Sequence, residues 1–281
     1  MPARFWGEPL GAMFVVFGVA GSIAACISLL GRVGRPRRHV ARVESVRLLG
    51  EPRNDAPLEL VCAMSAEWKG HRPGQFVYAA FDAWEGAHPF TIASAPEALG
   101  KTGNGEPLLR LVIKPLGDFT DTLAGRLHAG QSVTIEGPYG RFDAKGSARR
   151  QQVWVAAGVG ITPFLALLEA RQPSAQTSAH ALGKRQGAEV EMHYCTRNAA
   201  SDALLERVQQ LCAQAQPPVH LTVHDEASGH LFTPQALAVD RKRPSDIWFC
   251  GPRGLGAVLR SACRSIGRGR WHLHHELFSM R

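Results

Sequence analysis

The six cysteines, Cys26, Cys62, Cys195, Cys212, Cys250 and Cys263, lie scattered, and no two are spaced as CxxC. That excludes a zinc ribbon and a disulfide framework. Internal repeats are lacking. So is the composition of a disordered or collagen-like chain, because hydrophobic residues make up 45% and charged residues 20% of the 281. Only one stretch is apolar enough to span a bilayer, which argues against a multi-helix membrane protein. That stretch, Leu10–Leu30, itself lacks charge, Asn, Gln, His and Pro. At about 1.5 Å per residue it reaches roughly 30 Å, the hydrocarbon thickness of a membrane.

Arg32, Arg35, Arg37, Arg38 and Arg42 follow this run, with no acid before Glu44. The positive-inside rule then predicts a single-pass protein of the cell membrane, with its carboxy-terminal bulk in the cytoplasm. A secretory signal is the competing reading, since Ile23-Ala24-Ala25-Cys26 resembles a lipoprotein cleavage box; a buried core helix is another. The arginines suit anionic lipid. They have no interleaved aromatics, which speaks against a nucleic-acid partner.

What is present fits two further domains. Lys and Arg number 32 against 24 Asp and Glu, a net charge of +8. From His39 to Tyr139, short apolar alternations are broken by Gly and Pro. Strands are expected at Val40–Leu48, Leu58–Met64, Gln75–Phe81, Pro89–Ala93, Leu108–Lys114 and Ser132–Glu136, with one helix at Asp121–Leu127. Six short strands at this spacing predict a closed antiparallel β-barrel. Asp143–Arg150 reads as a linker. Beyond it, strands at Val153–Ala157, Glu189–Cys195, Val219–His224 and Ile247–Cys250 alternate with helices at Pro163–Glu169, Ser201–Gln214 and Arg253–Cys263. That alternation predicts a parallel α/β sheet. Gln172–Gly187 reads as an exposed loop. The expected division is 1–38 for the membrane helix and its basic flank, 39–146 for the barrel and 147–281 for the α/β domain.

Five short patterns could carry chemistry. In Ala157-Gly158-Val159-Gly160-Ile161-Thr162-Pro163 a buried strand meets a Gly-rich turn and a helix with Pro near its first position. The unpaired first-turn amides and the helix dipole suit a pyrophosphate. His88-Pro89-Phe90-Thr91 places a ring between imidazole and hydroxyl groups, which suits a planar heterocycle or simple packing. Gly117-Asp118-Phe119-Thr120 precedes a helix and suits a phosphate or a Thr cap. Cys250-Gly251-Pro252 ends a strand of the parallel sheet, where ligands sit; a buried structural thiol is the plainer alternative. The tail His274-His275-Glu276-Leu277-Phe278 carries an aromatic near the terminus. Its adjacent histidines lack helical i,i+4 spacing and an evident third ligand, so no metal site is expected.

In this order, HPFTIASAP, GDFT, EGPYG, GVGITP, YCTRN, CGP and HHELF resemble the ferredoxin-reductase-like flavoprotein superfamily, and most of all its ferric reductase and NADPH oxidase branch. The resemblance covers about His39 to Arg281. It implies an oxidoreductase with an FAD-binding barrel and an NAD(P)H-binding domain. It assigns His88, Pro89, Phe90 and Thr91 to the isoalloxazine ring, and Gly117, Phe119 and Thr120 to the FAD pyrophosphate. Gly158, Gly160, Ile161, Thr162 and Pro163 fall to the nucleotide phosphates, and Cys250, Gly251 and Pro252 to the nicotinamide. Phe278 would cover the flavin, with Glu276 as the acidic residue before it; Cys250, Glu276 and Phe278 form the expected catalytic group. Arg197 follows the second strand and can meet a 2′-phosphate, favouring NADPH while leaving NADH possible.

Two departures from the family stand out. Ala157 occupies a usual glycine position, and Leu10–Leu30 has no histidine to hold haem. The resemblance therefore leaves three arrangements open: a truncated member, a partner for a haem-bearing membrane subunit, or an anchored dehydrogenase with a soluble electron acceptor. A flavin-binding interaction remnant without turnover is the non-enzymatic alternative.

Overall fold

The computed structural model describes residues 8–29, 37–51, 56–82, 86–144, 150–173, 188–237, 244–266 and 270–276. The chain divides into two units, Met1–Arg38 and His39–Arg281.

The first unit contains helix α1 (Pro9–Leu29), which is long and apolar enough to cross a membrane. Its large side chains are exposed on every side, including Phe14, Phe17, Ile23 and Leu29. A helix apolar all round has no solvated face and needs an apolar surrounding. The Ser22 hydroxyl is satisfied within the helix, since its Oγ donates to the Gly18 carbonyl at 2.9 Å.

The second unit holds two sheets. The first contains β1 (Arg38–Leu48), β2 (Leu58–Met64), β3 (Phe76–Ala80), β4 (His88–Thr91), β5 (Leu108–Ile113) and β6 (Ser132–Tyr139), in the order β4-β3-β6-β1-β2-β5. β1 and β2, β2 and β5, β3 and β4, and β3 and β6 pair antiparallel. A bridge from Ile92, just beyond β4, to Leu111 of β5 closes the sheet on itself. Val43, Leu60, Cys62, Leu109, Leu111 and Ile135 fill the interior and are wholly buried. Helix α2 (Asp118–Arg126) buries Leu123 and turns Phe119 toward that core. It starts earlier than expected because Thr120 Oγ1 closes its first turn, accepting from Leu116 N at 2.8 Å and donating to the Gly117 carbonyl at 3.2 Å.

The second sheet has strands β7 (Gln151–Ala157), β8 (Val190–Thr196), β9 (Val219–Asp225), β10 (Ser245–Cys250) and β11 (Trp271–Glu276), in the order β11-β10-β7-β8-β9, all parallel. β11 was not expected from the sequence; His272, His274 and His275 interrupt the apolar pattern that marks its neighbours. Helix α3 (Thr162–Glu169) is buried along its whole length. Helix α4 (Leu205–Gln214) buries Val208 and Cys212, four residues apart on one face. The expected helix from Ser201 breaks because the Asp202 carboxylate takes over local hydrogen bonds: it accepts from Tyr194 Oη at 2.8 Å and Leu204 N at 3.0 Å. Helix α5 (Arg253–Ile266) packs Leu259 and Cys263 on the β7–β10 face formed by Val153, Val155, Ile247 and Phe249.

The opposite sheet face carries Trp154 and Trp248 and joins the barrel in one shared core. Phe142 meets Phe164 and Trp248 edge-on, with ring centroids 5.3 and 5.2 Å apart. The expected linker and the loop after Gln172 lie largely outside the described residues.

Candidate flavin and nucleotide site

Strand order in the parallel sheet reverses between β7 and β10, and the carboxyl ends of neighbouring strands at such a point form a crevice. β7 ends at Ala157 and β10 at Cys250, so the two expected nucleotide motifs meet there. The approach is close. A Cβ on Gly160 would lie 2.2 Å from the Cys250 carbonyl oxygen and 2.9 Å from Gly251 N. Only glycine lets the turn at 158–161 rest on the β10 end. Gly158 is different: its φ is +54°, and a Cβ there would meet nothing within 4 Å. A left-handed turn with open space in front of it fits a pyrophosphate cradle. Ala157, the departure from the family pattern, points its methyl at Gly251; a Cβ on Gly251 would be 3.0 Å from it. The extra methyl is thus matched by a missing one.

Thr162 does not offer its hydroxyl to a ligand in this arrangement, because Oγ1 donates to the Val159 carbonyl at 3.0 Å. Ile161 and Pro163 are buried supports of the turn. Cys250 is buried and pairs in register with Ala156 on one side and Glu276 on the other. The backbone therefore brings Cys250 and Glu276 together. Phe278 lies outside the described residues, as does the side chain of Glu276. Pro252 and Arg197 are exposed, Arg197 just past the end of β8.

In the barrel, His88 stacks on Phe119, with centroids 3.9 Å apart and planes 15° apart. Two motifs distant in sequence meet there. Alternation divides His88-Pro89-Phe90-Thr91 between two faces. Phe90 points into the barrel against Phe81, at 5.8 Å. Thr91 and Pro89 share the other face with Phe76 and Tyr78, their register partners. Phe76, Tyr78 and Tyr139 form an aromatic trio there, with centroids 5.7–5.9 Å apart. Register, not spacing, assembles this trio; Tyr139 of EGPYG was its only visible member. Gly117, before α2, has open space where a Cβ would be, so the first-turn amides of α2 can be approached. The Thr120 hydroxyl is already engaged in its own turn.

A buried ion cluster joins the two parts. Glu169, at the end of α3, accepts from Arg110 Nη1 at 2.7 Å, Arg207 Nη2 at 2.6 Å and the Ala95 amide at 3.0 Å. Glu59 pairs with Arg110 at 3.2 Å and Arg207 at 3.1 Å. Arg110 N also donates to Ser94 Oγ at 3.1 Å, and His71 Nε2 lies 2.9 Å from the Ser94 carbonyl. Burial lowers the His71 pKa below the usual histidine value. The cluster thus ties the segment after β4 to the helix whose other end forms the phosphate turn. Sequence reasoning missed these residues. The available signal was a lone Arg in LLRLVI and a lone Glu ending TPFLALLE: opposite charges in otherwise apolar elements need each other.

Residues 53–143 match the profile of a family described as an FAD-binding domain. The reductase subunit of carnitine monooxygenase from Escherichia coli is 29% identical over 155 residues, 55% of this chain and 43% of its own length. A flavohemoprotein from Chromobacterium violaceum is 26% identical over 231 residues, 74% of this chain and 52% of its own. The chain spans about half the length of these curated relatives. Among solved structures, ferredoxin-NADP+ reductase from Plasmodium falciparum superposes with a TM-score of 0.64 at 12% identity, covering 85% of this chain and 97% of that one. The FAD/NAD-binding domain of nitric oxide dioxygenase from Vibrio cholerae gives 0.60 at 18% identity, covering 85% and 98%.

The barrel thus resembles an FAD-binding domain over residues 53–143, and the His39–Arg281 unit has the fold of ferredoxin-NADP+ reductase. FAD and NAD(P)H are the cofactors that go with it. The relatives are reductase subunits and flavohemoproteins rather than ferric reductases in particular.

Proposed function

We propose that the chain is a flavoprotein oxidoreductase that takes a hydride from NAD(P)H onto FAD and passes electrons singly to an acceptor. The observation that carries this reading is the meeting of the Gly158–Gly160 turn with Cys250-Gly251 at the strand-order reversal, in a chain whose barrel matches the profile of an FAD-binding domain. FAD, when bound, supplies the conversion between two-electron and one-electron transfer. The protein's own part is to hold, align and exclude water.

The open left-handed turn at Gly158 and the α3 amides would bind the dinucleotide phosphates. Cys250 would line the nicotinamide position, with Glu276 beside it in the sheet and Phe278 covering the flavin until the nicotinamide displaces it. His88, Thr91 and Phe119 would contact the flavin nucleotide. Arg197, exposed past β8, would meet a 2′-phosphate and favour NADPH over NADH. The ion cluster on Glu169 would set the distance between the two rings.

We read α1 as a membrane anchor that leaves the catalytic unit in the cytoplasm, and the chain as closest in type to the dehydrogenase module of ferric reductases and NADPH oxidases. A haem-bearing membrane protein is then the acceptor. A separate oxygenase or haem protein as acceptor is the second reading, favoured by relatives named as a monooxygenase reductase subunit and a flavohemoprotein.

The test is an absorption spectrum of the purified full chain in detergent, before and after NADPH. Flavin bands that bleach on addition, with turnover of an artificial acceptor, are expected. A chain with no flavin bands, or with bands indifferent to both nucleotides, overturns the reading. Recovery in the membrane fraction, resistant to salt and alkali, is expected of the anchor; recovery in the soluble fraction overturns it.

A further inference from the structure

On β11, His272 and His274 are two residues apart, so both rings stand on one face of the sheet. Register sets Asp246 of β10 opposite His272 and Trp248 opposite His274. Asp246 Oδ1 lies 3.5 Å from His272 Nδ1 and 3.6 Å from His274 Nε2. All three potential ligand atoms fall within 4.8 Å of one another. These separations are long for hydrogen bonds. They suit neighbouring corners of a tetrahedron, whose edges are roughly 3.3–3.5 Å when metal–ligand bonds are about 2.0–2.1 Å.

The surroundings hold the three groups in place. Asp246 is buried, and its carboxylate accepts from Arg150 Nε at 2.8 Å through Oδ1 and from Gln152 Nε2 at 3.2 Å through Oδ2. Arg150 is fixed in turn by the Ser245 carbonyl at 2.7 Å. The Gln152 Oε1 accepts from Trp248 Nε1 at 3.3 Å, and the Trp248 ring stacks on His274 at 3.9 Å with planes 10° apart. Outer contacts of this kind orient ligands and set their affinity. The side chain of His272 is 63% exposed and that of His274 38%, so the cluster is open to solvent.

We propose that Asp246, His272 and His274 bind one divalent transition-metal ion of the zinc class. Arg150 offsets the charge of the carboxylate, which leaves the two imidazoles as the main donors. That donor set favours a borderline ion over magnesium or calcium, which prefer oxygen. Three protein ligands leave a position for water. Asp246 precedes Cys250 by four residues, roughly 13 Å along the strand at about 3.3 Å each. The ion would thus lie away from the nucleotide crevice and clamp the edge strand β11 to β10.

The test is calorimetric titration of zinc chloride into the full chain after EDTA treatment and dialysis. One ion per chain is expected. His272→Ala should weaken binding at least about tenfold, by comparison with losses for supporting residues alone. His275→Ala should bind as the unaltered chain does, because its ring lies on the opposite, Phe249 side of the sheet. Absence of zinc binding overturns the proposal. So does unaltered affinity in His272→Ala, or an equal loss in His275→Ala.

Discussion

The two sheets of the His39–Arg281 unit position their candidate ligand residues by different rules. In the parallel sheet, ligands sit beyond strand ends, so a motif that ends a strand already states where it will be. The turn after β7 and the end of β10 meet for that reason alone, and Gly160 shows how closely. In the barrel, a motif lies along a strand, and its residues go alternately to opposite faces. His88-Pro89-Phe90-Thr91 is split in this way, and the ring that stacks on His88 comes from α2. A motif in the parallel sheet therefore conveys position, whereas one in the barrel conveys only conformation until register is known.

The strongest way to break this division is to cut the cluster that joins its halves. Glu169→Ala leaves Arg110 buried with one partner fewer and should cost about 3–5 kcal/mol in urea unfolding of the flavin-loaded chain. Arg207→Met removes a cation that is 28% exposed and should cost no more than about 1 kcal/mol. Equal losses would mean that burial does not set the strength of this junction.

A narrower change separates the halves chemically. Gly160→Ala would force a methyl to within 2.2 Å of the Cys250 carbonyl and push the turn away from β10. Displacement of about 1 Å can cost on the order of 100-fold in rate, so flavin bleaching by NADPH in stopped flow should slow by about that factor. FAD content should stay as it was. Loss of FAD together with rate would show that the barrel depends on the nucleotide turn. The reciprocal change is Phe119→Ala, which removes the ring stacked on His88. An aromatic contact of about 1 kcal/mol should weaken FAD binding roughly fivefold, measured by flavin fluorescence, with NADPH affinity unchanged.

Much of this was legible in the residues, and unevenly. Every expected strand of both sheets exists, most within two residues of its expected ends, because apolar alternation and Gly or Pro breaks report local conformation directly. That the turn after β7 meets the end of β10 followed from strand ends. β11 escaped because histidines occupy positions where its neighbours carry apolar side chains, and a partly exposed edge strand needs fewer of those. The ion cluster escaped for a deeper reason. Glu59, Arg110, Glu169 and Arg207 come from four separate elements, and no local pattern pairs them. A lone charge in an apolar element says that a partner exists without saying where. The aromatic trio of Phe76, Tyr78 and Tyr139 likewise depends on the β3–β6 register, which includes an irregularity.

The smallest expected effect concerns acid sensitivity in the parallel sheet, and it tests whether that half owes its acid response to a buried histidine. His193 Nδ1 lies 3.1 Å from His224 Nε2, and its own Nε2 is buried without a hydrogen-bond partner among the described residues. Burial first, then repulsion from His224, pushes the His193 pKa down to about 4. The unfolded chain takes up this proton near pH 6.5, whereas the folded chain resists it until about pH 4. Between those values the unfolded state binds more protons, so this histidine lowers stability as pH falls and contributes no slope above about 6.5. Burial also lowers His224, which acts in the same direction; the raised carboxyl of Glu191 acts in the opposite one. His193→Leu removes the proton site while keeping an apolar side chain against Phe232. Its melting temperature should therefore fall less steeply between pH 6.5 and pH 4 than that of the unaltered chain, by a few degrees over the interval. Parallel curves would mean that the pair titrates alike in both states and that the sheet owes its acid response to other groups.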